Sequence, residues 1–222
     1  MANGVQYLHN IQIVHKDIKP SNVLLCRKDG QVKLSDFGLS KEISDEMGSF
    51  SYTPRCTKAW APPEILNYQL FNPRLYPEVD IFSLGCVFFF VMTSKHPFGD
   101  SEAVRIRSIA RGDAVNIATN CQIGYLFKHL IYQMLKQEPE NRLNSSKVVN
   151  HPYFWTSERV MDVIATVKES TLSANDVEKS NRTMLDDLKE EILGDEDWRD
   201  KIDSSMRSGK YSDSVTGIVA TY

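Results

Sequence analysis

The 222-residue sequence has no hydrophobic run long enough to cross a bilayer. Its most apolar stretch, Leu84 to Met92, is about half of the ~20 residues a spanning helix needs. Apolar on every side, it reads as a helix buried in a globular core. The N-terminus, MANGVQYLHN, lacks a basic region followed by an apolar block, so a secretory signal is not expected. Cysteine is sparse. Cys26, Cys56, Cys86 and Cys121 stand apart, with no C-x-x-C pair and no histidine at zinc-ligand spacing. That pattern excludes a disulfide-stapled scaffold and reads as reduced thiols in the cytosol. Nor does one charge dominate: 26 Lys and Arg against 29 Asp and Glu give a net charge of −3. That balance argues against a globally basic nucleic-acid binder and leaves a local basic patch open. Repeats and low-complexity tracts are absent. What is present, 41% hydrophobic and 25% charged residues, is the mix of an ordinary globular chain. Its length allows one domain and part of a second.

Two β-prone runs, Val23-Leu24-Leu25 and Val32-Lys33-Leu34, flank a turn containing Asp29-Gly30 and predict a small hairpin. Residues from Ile43 to Arg55, rich in Ser, Gly and Thr, predict a loop. Further on, Ile123, Leu126, Phe127, Leu130, Ile131, Met134 and Leu135 keep the spacing of one helix face. Glu138-Pro139 is expected to end that helix, because proline cannot continue the hydrogen-bond ladder. The composition changes after Trp155. Between Asp176 and Asp203 eleven acidic residues face five basic ones, while Met184, Leu185, Leu188, Ile192 and Leu193 still keep helical spacing. Short helices with solvated acidic faces are expected there, and the domain boundary is placed near residue 155.

The segment richest in chemistry runs Val14-His15-Lys16-Asp17-Ile18-Lys19-Pro20-Ser21-Asn22, with Asp36-Phe37-Gly38 directly after the second strand of the hairpin. Here the sequence resembles the protein kinase family, whose catalytic loop and D-F-G element have this order and spacing. Seven fixed positions would coincide by accident with odds on the order of one in a billion per start site. The resemblance implies that Asp17 orients an acceptor hydroxyl and takes its proton. Lys19 would place a positive charge beside the transferred phosphoryl group of ATP, as in serine/threonine kinases. Asn22 and Asp36 would supply oxygen ligands to Mg²⁺, which prefers hard donors. A pseudokinase keeping the loop only as structure is the alternative, although none of these four residues is replaced.

Thr57-Lys58-Ala59-Trp60-Ala61-Pro62-Pro63-Glu64 resembles the T-x-x-Y-x-A-P-E end of a kinase activation segment, with Trp60 and Pro62 as departures. By resemblance Glu64 pairs with Arg142, a bidentate contact that would tie down the segment's end. Asp80, in Asp80-Ile81-Phe82-Ser83-Leu84-Gly85, would hold the backbone around His15. His15, Phe37 and Gly38 are expected to be structural rather than acid–base groups. Ser49, Ser51 and Thr53 lie between Asp36 and Glu64, where phosphate can order a loop by pairing with a cation. The family's usual partner is an arginine before the catalytic aspartate; here Lys16 keeps the charge without the planar fork.

No G-x-G-x-x-G loop and no V-A-I-K lysine occur in the sequence. The expectation is a mainly α kinase C-lobe with a small β-hairpin and the N-lobe absent, so that this stretch alone binds nucleotide weakly. His151-Pro152-Tyr153-Phe154-Trp155 followed by helices resembles the junction in the inositol-requiring ER stress sensors and ribonuclease L, where a helical ribonuclease domain follows the kinase without a linker. Ser49-Phe50-Ser51 is similar to a phosphorylated element of the stress sensors. Asp197-Trp198 with Ile202, and Tyr211-Ser212-Asp213-Ser214-Val215, are similar to elements of the ribonuclease domain. The resemblance implies a kinase C-lobe over 1–155 and the start of the ribonuclease domain over 156–222, with Tyr211 among the residues that cleave RNA. It also implies a homodimer that phosphorylates protein, itself included, in trans, and a place on the cytosolic face of the ER membrane. A plain serine/threonine kinase with a helical extension, or a docking module without activity, are the other readings.

Overall fold

A computed structural model of the chain describes residues 1–43, 56–66, 76–118 and 124–172. Helices dominate these residues, with two small antiparallel sheets. The expected helices around Met184 to Leu193, most of the loop read over 43–55, and Cys121 lie outside the described residues. The chain divides into two compact units, one of Met1–Ile123 with Leu130–His151 and one of Gly124–His129 with Pro152–Tyr222.

In the first unit, α1 (Ala2–Asn10) buries Val5 and Leu8, three residues apart on one face, and packs on α7 (Ser145–Val149). The hairpin forms from β2 (Val23–Leu25) and β3 (Val32–Leu34), with Val23 opposite Leu34 and Leu25 opposite Val32. Gly30, at φ 68°, supplies the left-handed residue of its turn. A second sheet pairs β1 (Ile13–Val14) with β4 (Lys41–Glu42), bracketing the hairpin and the chemistry-bearing segment. Sequence reasoning gave no sign of it, because two-residue strands are too short for any period to show.

The short α2 (Pro63–Leu66) begins on a proline, whose missing N–H costs nothing at a first helical position. Its Ile65 joins Val14, Ala61 and Val79 in a buried cluster. The central helix is α3 (Glu78–Thr93). Residues from Val79 to Val87, and Phe89, are buried, and Phe82 stacks on Phe98 at 5.5 Å. The expected all-round burial fails in the last turn, where Val91 is 67% exposed. Ser94, left-handed at φ 57°, ends the helix. Helix α4 (Glu102–Arg111) is capped by the Ser101 hydroxyl and closed by Gly112 at φ 78°, and the brief α5 (Val115–Ala118) follows.

The predicted amphipathic helix is α6 (Tyr125–Met134), which stops before the expected Glu138-Pro139. Arg142 explains the early end. Its guanidinium takes the carbonyl oxygens of Lys136 and Gln137 at 2.6 and 2.8 Å, so that stretch is hydrogen-bonded without continuing the helix. Proline instead opens a short 3₁₀ turn, Pro139–Asn141. In the second unit Phe127 and Tyr153 lie 5.1 Å apart, Tyr153 meets Phe154 edge-on, and the Arg159 guanidinium covers the Trp155 ring. Helix α8 (Ser157–Leu172) follows, with Val160, Met161 and Val163 exposed.

Candidate active site

The loop between β1 and β2 is irregular backbone inside a packed unit, so its amides need partners. Asp80, completely buried on α3, provides them. Its Oδ2 accepts the His15 N–H at 2.7 Å and its Oδ1 the Lys16 N–H at 2.8 Å. Lys16 sits at φ 68°, a left-handed conformation that costs a residue with a Cβ. The Asp80 hydrogen bonds hold it there. A third donor, His9 Nε2 on the last turn of α1, meets Asp80 Oδ2 at 3.0 Å.

That fixed backbone presents Asp17. Lys19 Nζ donates to Asp17 Oδ2 at 2.6 Å, and Asn22 Nδ2 donates to the same oxygen at 3.0 Å and to the Asp17 carbonyl at 2.9 Å. Oδ1 accepts the Thr57 hydroxyl at 2.6 Å, and Lys19 Nζ donates to Thr57 Oγ1 at 2.7 Å. Burial pushes the Asp17 carboxyl up. Hydrogen bonds from Lys19, Thr57 and Asn22, with the Lys19 charge, outweigh it and hold the group below its ordinary value. Lys16 moves down as well, through burial first and the neighbouring Lys41 charge second.

Asp36 is not part of this cluster. Its side chain is exposed, and among the described residues Oδ1 accepts the Gly38 N–H alone, at 3.4 Å. Its backbone, however, is anchored beside the site: Ser35 donates to the Asn22 carbonyl through N at 2.9 Å and through Oγ at 3.1 Å. With its amide nitrogen on Asp17, Asn22 has its amide oxygen left as an acceptor. Asn22 and Asp36 thus offer hard oxygen donors of the kind Mg²⁺ takes. Among the described residues no three His, Cys, Asp or Glu side chains gather into a cage. A Mg²⁺ ion held chiefly by nucleotide phosphates and water needs none.

His15 Nδ1 accepts the Asp17 N–H at 3.3 Å, and Nε2 lies 3.1 Å from the Ser35 carbonyl. Both ring nitrogens are therefore engaged with backbone, and the ring packs 5.0 Å from Phe37. Farther along, the Arg142 guanidinium grips Glu64 with two hydrogen bonds of 2.6 and 2.7 Å. The Ser83 hydroxyl donates to the Trp60 carbonyl at 2.8 Å. Ser49, Ser51, Thr53 and Tyr211 lie outside the described residues.

Two participants had no role in the sequence reading. Thr57 stood only as the first letter of a motif, yet it closes a triangle with Asp17 and Lys19. Its spacing of seven residues before Glu64 was the available signal. His9 had none beyond its place near the end of a helix.

The family model of the protein kinase domain matches residues 1–154. The chain belongs to the protein kinase family. This kinase is 35% identical over 216 residues to the serine/threonine-protein kinase/endoribonuclease ire-1 of Caenorhabditis elegans, an overlap of 93% of the chain and 22% of the relative. It is 39% identical over 165 residues to IRE1a of Arabidopsis thaliana, covering 70% of the chain and 18% of the relative. To IRE2 of Homo sapiens it is 35% identical over 179 residues, covering 76% and 19%. Both bear the same kinase/endoribonuclease description. The kinase thus spans about a fifth of the length of the curated relatives it matches.

Proposed function

We propose that the chain carries the acceptor side of a serine/threonine protein kinase active site. The observation that carries this reading is the Asp17 carboxylate, ionised and held by Lys19, Asn22 and Thr57 at 2.6 to 3.0 Å. An incoming serine or threonine hydroxyl donates to Asp17, which aligns the oxygen for attack on the γ-phosphorus of ATP. As the new P–O bond forms, the bond to the β-phosphate oxygen breaks, ADP leaves, and the hydroxyl proton passes to Asp17. Lys19 brings positive charge to the same locus. Asn22 and Asp36 would hold Mg²⁺, which neutralises phosphate charge when bound. Phosphate at Ser49, Ser51 or Thr53 would regulate the segment before Thr57.

We place the kinase C-lobe at 1–155 and read 156–222 as the opening of a kinase-extension ribonuclease domain, with Tyr211 in its RNA-cleaving set. The names of the relatives, and that of the fission yeast "Sensor for unfolded proteins in the ER ire1", support a role in the unfolded protein response. Such a protein would act as a homodimer on the cytosolic face of the ER membrane, phosphorylating itself in trans and cleaving RNA. No helix among the described residues is long and apolar enough to cross a membrane.

Radiolabelled phosphate transfer to a serine-containing peptide tests the first half. Asp17→Asn is expected to lower transfer by at least about a hundredfold; unchanged transfer rejects the assignment. Hairpin-RNA cleavage by the same protein, expected to disappear in Tyr211→Phe, separates a kinase/ribonuclease from a plain kinase.

A further inference from the structure

Thr57 is tied by its side chain to both members of the Asp17–Lys19 pair: its hydroxyl donates to Asp17 Oδ1 at 2.6 Å and accepts from Lys19 Nζ at 2.7 Å. The next three residues, Lys58–Trp60, form a 3₁₀ turn. Its backbone is closed by the Trp60 N–H on the Thr57 carbonyl at 2.9 Å and the Ala61 N–H on the Lys58 carbonyl at 3.3 Å. Trp60 stands edge-on to Phe90 at 5.8 Å and to His96 at 4.6 Å, and its carbonyl takes the Ser83 hydroxyl. Ala59 is buried. Of the turn's three side chains only Lys58 is exposed. Among the described residues its ammonium meets no carboxylate at ion-pair distance. Glu64, the acidic residue of α2, is taken by both terminal nitrogens of Arg142. Helix α4 packs on the turn and brings a further positive charge, Arg105, seated on the Gly99 and Asp100 carbonyls.

We propose that Lys58 determines substrate specificity, selecting an acidic side chain next to the acceptor serine or threonine. This deepens the kinase reading above and rests on it. Lys58 follows Thr57 directly, so its backbone lies one residue from a side chain that touches the proton-accepting carboxylate. A peptide whose hydroxyl reaches Asp17 advances about 3.3 Å per residue when extended, and one of the two residues flanking the acceptor passes the Lys58 turn. Lysine carries a compact charge on a flexible four-carbon stem, so it follows a carboxylate without demanding one geometry. Aspartate or glutamate at that place is attracted, whereas lysine or arginine is repelled, and the two effects add in the discrimination. The turn keeps the charge in place while Asp17 and Lys19 act alike on every peptide. The preference should therefore fall on peptide binding rather than on turnover.

Radiolabelled transfer is measured on four synthetic peptides, identical except for aspartate or lysine directly before or directly after a central serine. At one flank the wild-type protein is expected to favour aspartate over lysine by about five- to twentyfold in kcat/KM, mainly through KM. Lys58→Met, similar in length but uncharged, should bring that ratio to within about twofold of unity, and Lys58→Glu should invert it. Each ratio is taken within one protein, so a uniform loss of activity cancels. Raising the salt concentration from about 50 mM to about 500 mM should shrink the wild-type ratio. Absence of an aspartate preference at both flanks in wild type, or a preference that survives in Lys58→Met and Lys58→Glu, overturns the proposal. Failure of the kinase reading is distinguishable: no peptide is then phosphorylated, or Asp17→Asn transfers phosphate as well as wild type does.

Discussion

Asp17 is stabilised as an anion by the same hydrogen bonds that position it, which makes it a weak base with a well-defined direction. That suits a transfer whose transition state is loose, with little proton movement until the phosphorus–oxygen bond has formed. Thr57 supplies one of the donors and also accepts from Lys19, so it links the anion to the cation. Thr57→Val keeps the shape and removes the hydroxyl. The Asp17 carboxyl pKa is then expected to rise toward the ordinary value of about 3.9, while Thr57→Ser leaves it low. Carboxyl-carbon NMR titration reads this directly, and identical titration in the valine variant would show that the hydroxyl does not hold the charge. The sign for stability follows. A carboxyl whose folded pKa is depressed stabilises the fold above its unfolded value of about 3.9, and the contribution is lost as pH falls through the lower folded value. The valine variant should lose less on acidification than wild type.

Among the elements, α2 and the turn after α6 are joined by one guanidinium. Arg142 uses all of its donors: Nε on the Lys136 carbonyl, one terminal nitrogen on Glu64 and the Glu78 carbonyl, the other on Glu64 and the Gln137 carbonyl. Its side chain is fully buried and that of Glu64 nearly so. Removing either partner leaves an uncompensated charge, so Arg142→Met or Glu64→Leu is expected to cost about 3–5 kcal/mol in urea unfolding. The double variant should be no worse than Arg142→Met, because it leaves no charge alone and unpairs no further carbonyl. Additive losses would show that the two residues act separately. Lysine at position 142 has three donors where five are used, and should restore little. The pairing of Glu64 with Arg142 could be anticipated only through a family motif, since 78 residues separate them and no local period connects them. The hairpin was legible for the opposite reason: its strands and its Asp29-Gly30 turn are neighbours in sequence, and turn chemistry is local. The β1–β4 pairing was not, because its two strands lie far apart in sequence, and the early end of α6 was not, because no glycine or proline marks it. At the site the same division holds. Asp17, Lys19 and Asn22 sit within six residues and were found together, whereas Thr57 and His9 arrive from other elements.

At the scale of the whole molecule, one source of acid sensitivity is a histidine away from the Asp17 cluster. His96 is 1% exposed, its Nδ1 accepting the Phe98 N–H at 3.2 Å and its ring edge-on to Trp60 at 4.6 Å. Burial, with the Arg105 charge second, lowers its pKa to about 3. In the unfolded chain the same imidazole titrates near about 6.5. Between those values the unfolded state carries a proton that the folded state does not, so folding stability falls as pH drops through that window. It is fully present above the unfolded value and exhausted below the folded one. The slope is at most about 1.4 kcal/mol per pH unit, so acidification from pH 6.5 to pH 5 should remove on the order of 2 kcal/mol through this residue. His96→Gln cannot take up a proton and is expected to show a correspondingly shallower loss, whatever its stability at pH 7. The other four histidines are common to both proteins, and their contributions cancel in the comparison. Urea unfolding of wild type and variant at pH 7, 6 and 5 measures the difference. Parallel lines would mean that His96 gains its proton in the folded state as readily as in the unfolded one, and that the buried, cation-facing site around it does not exclude the charged form.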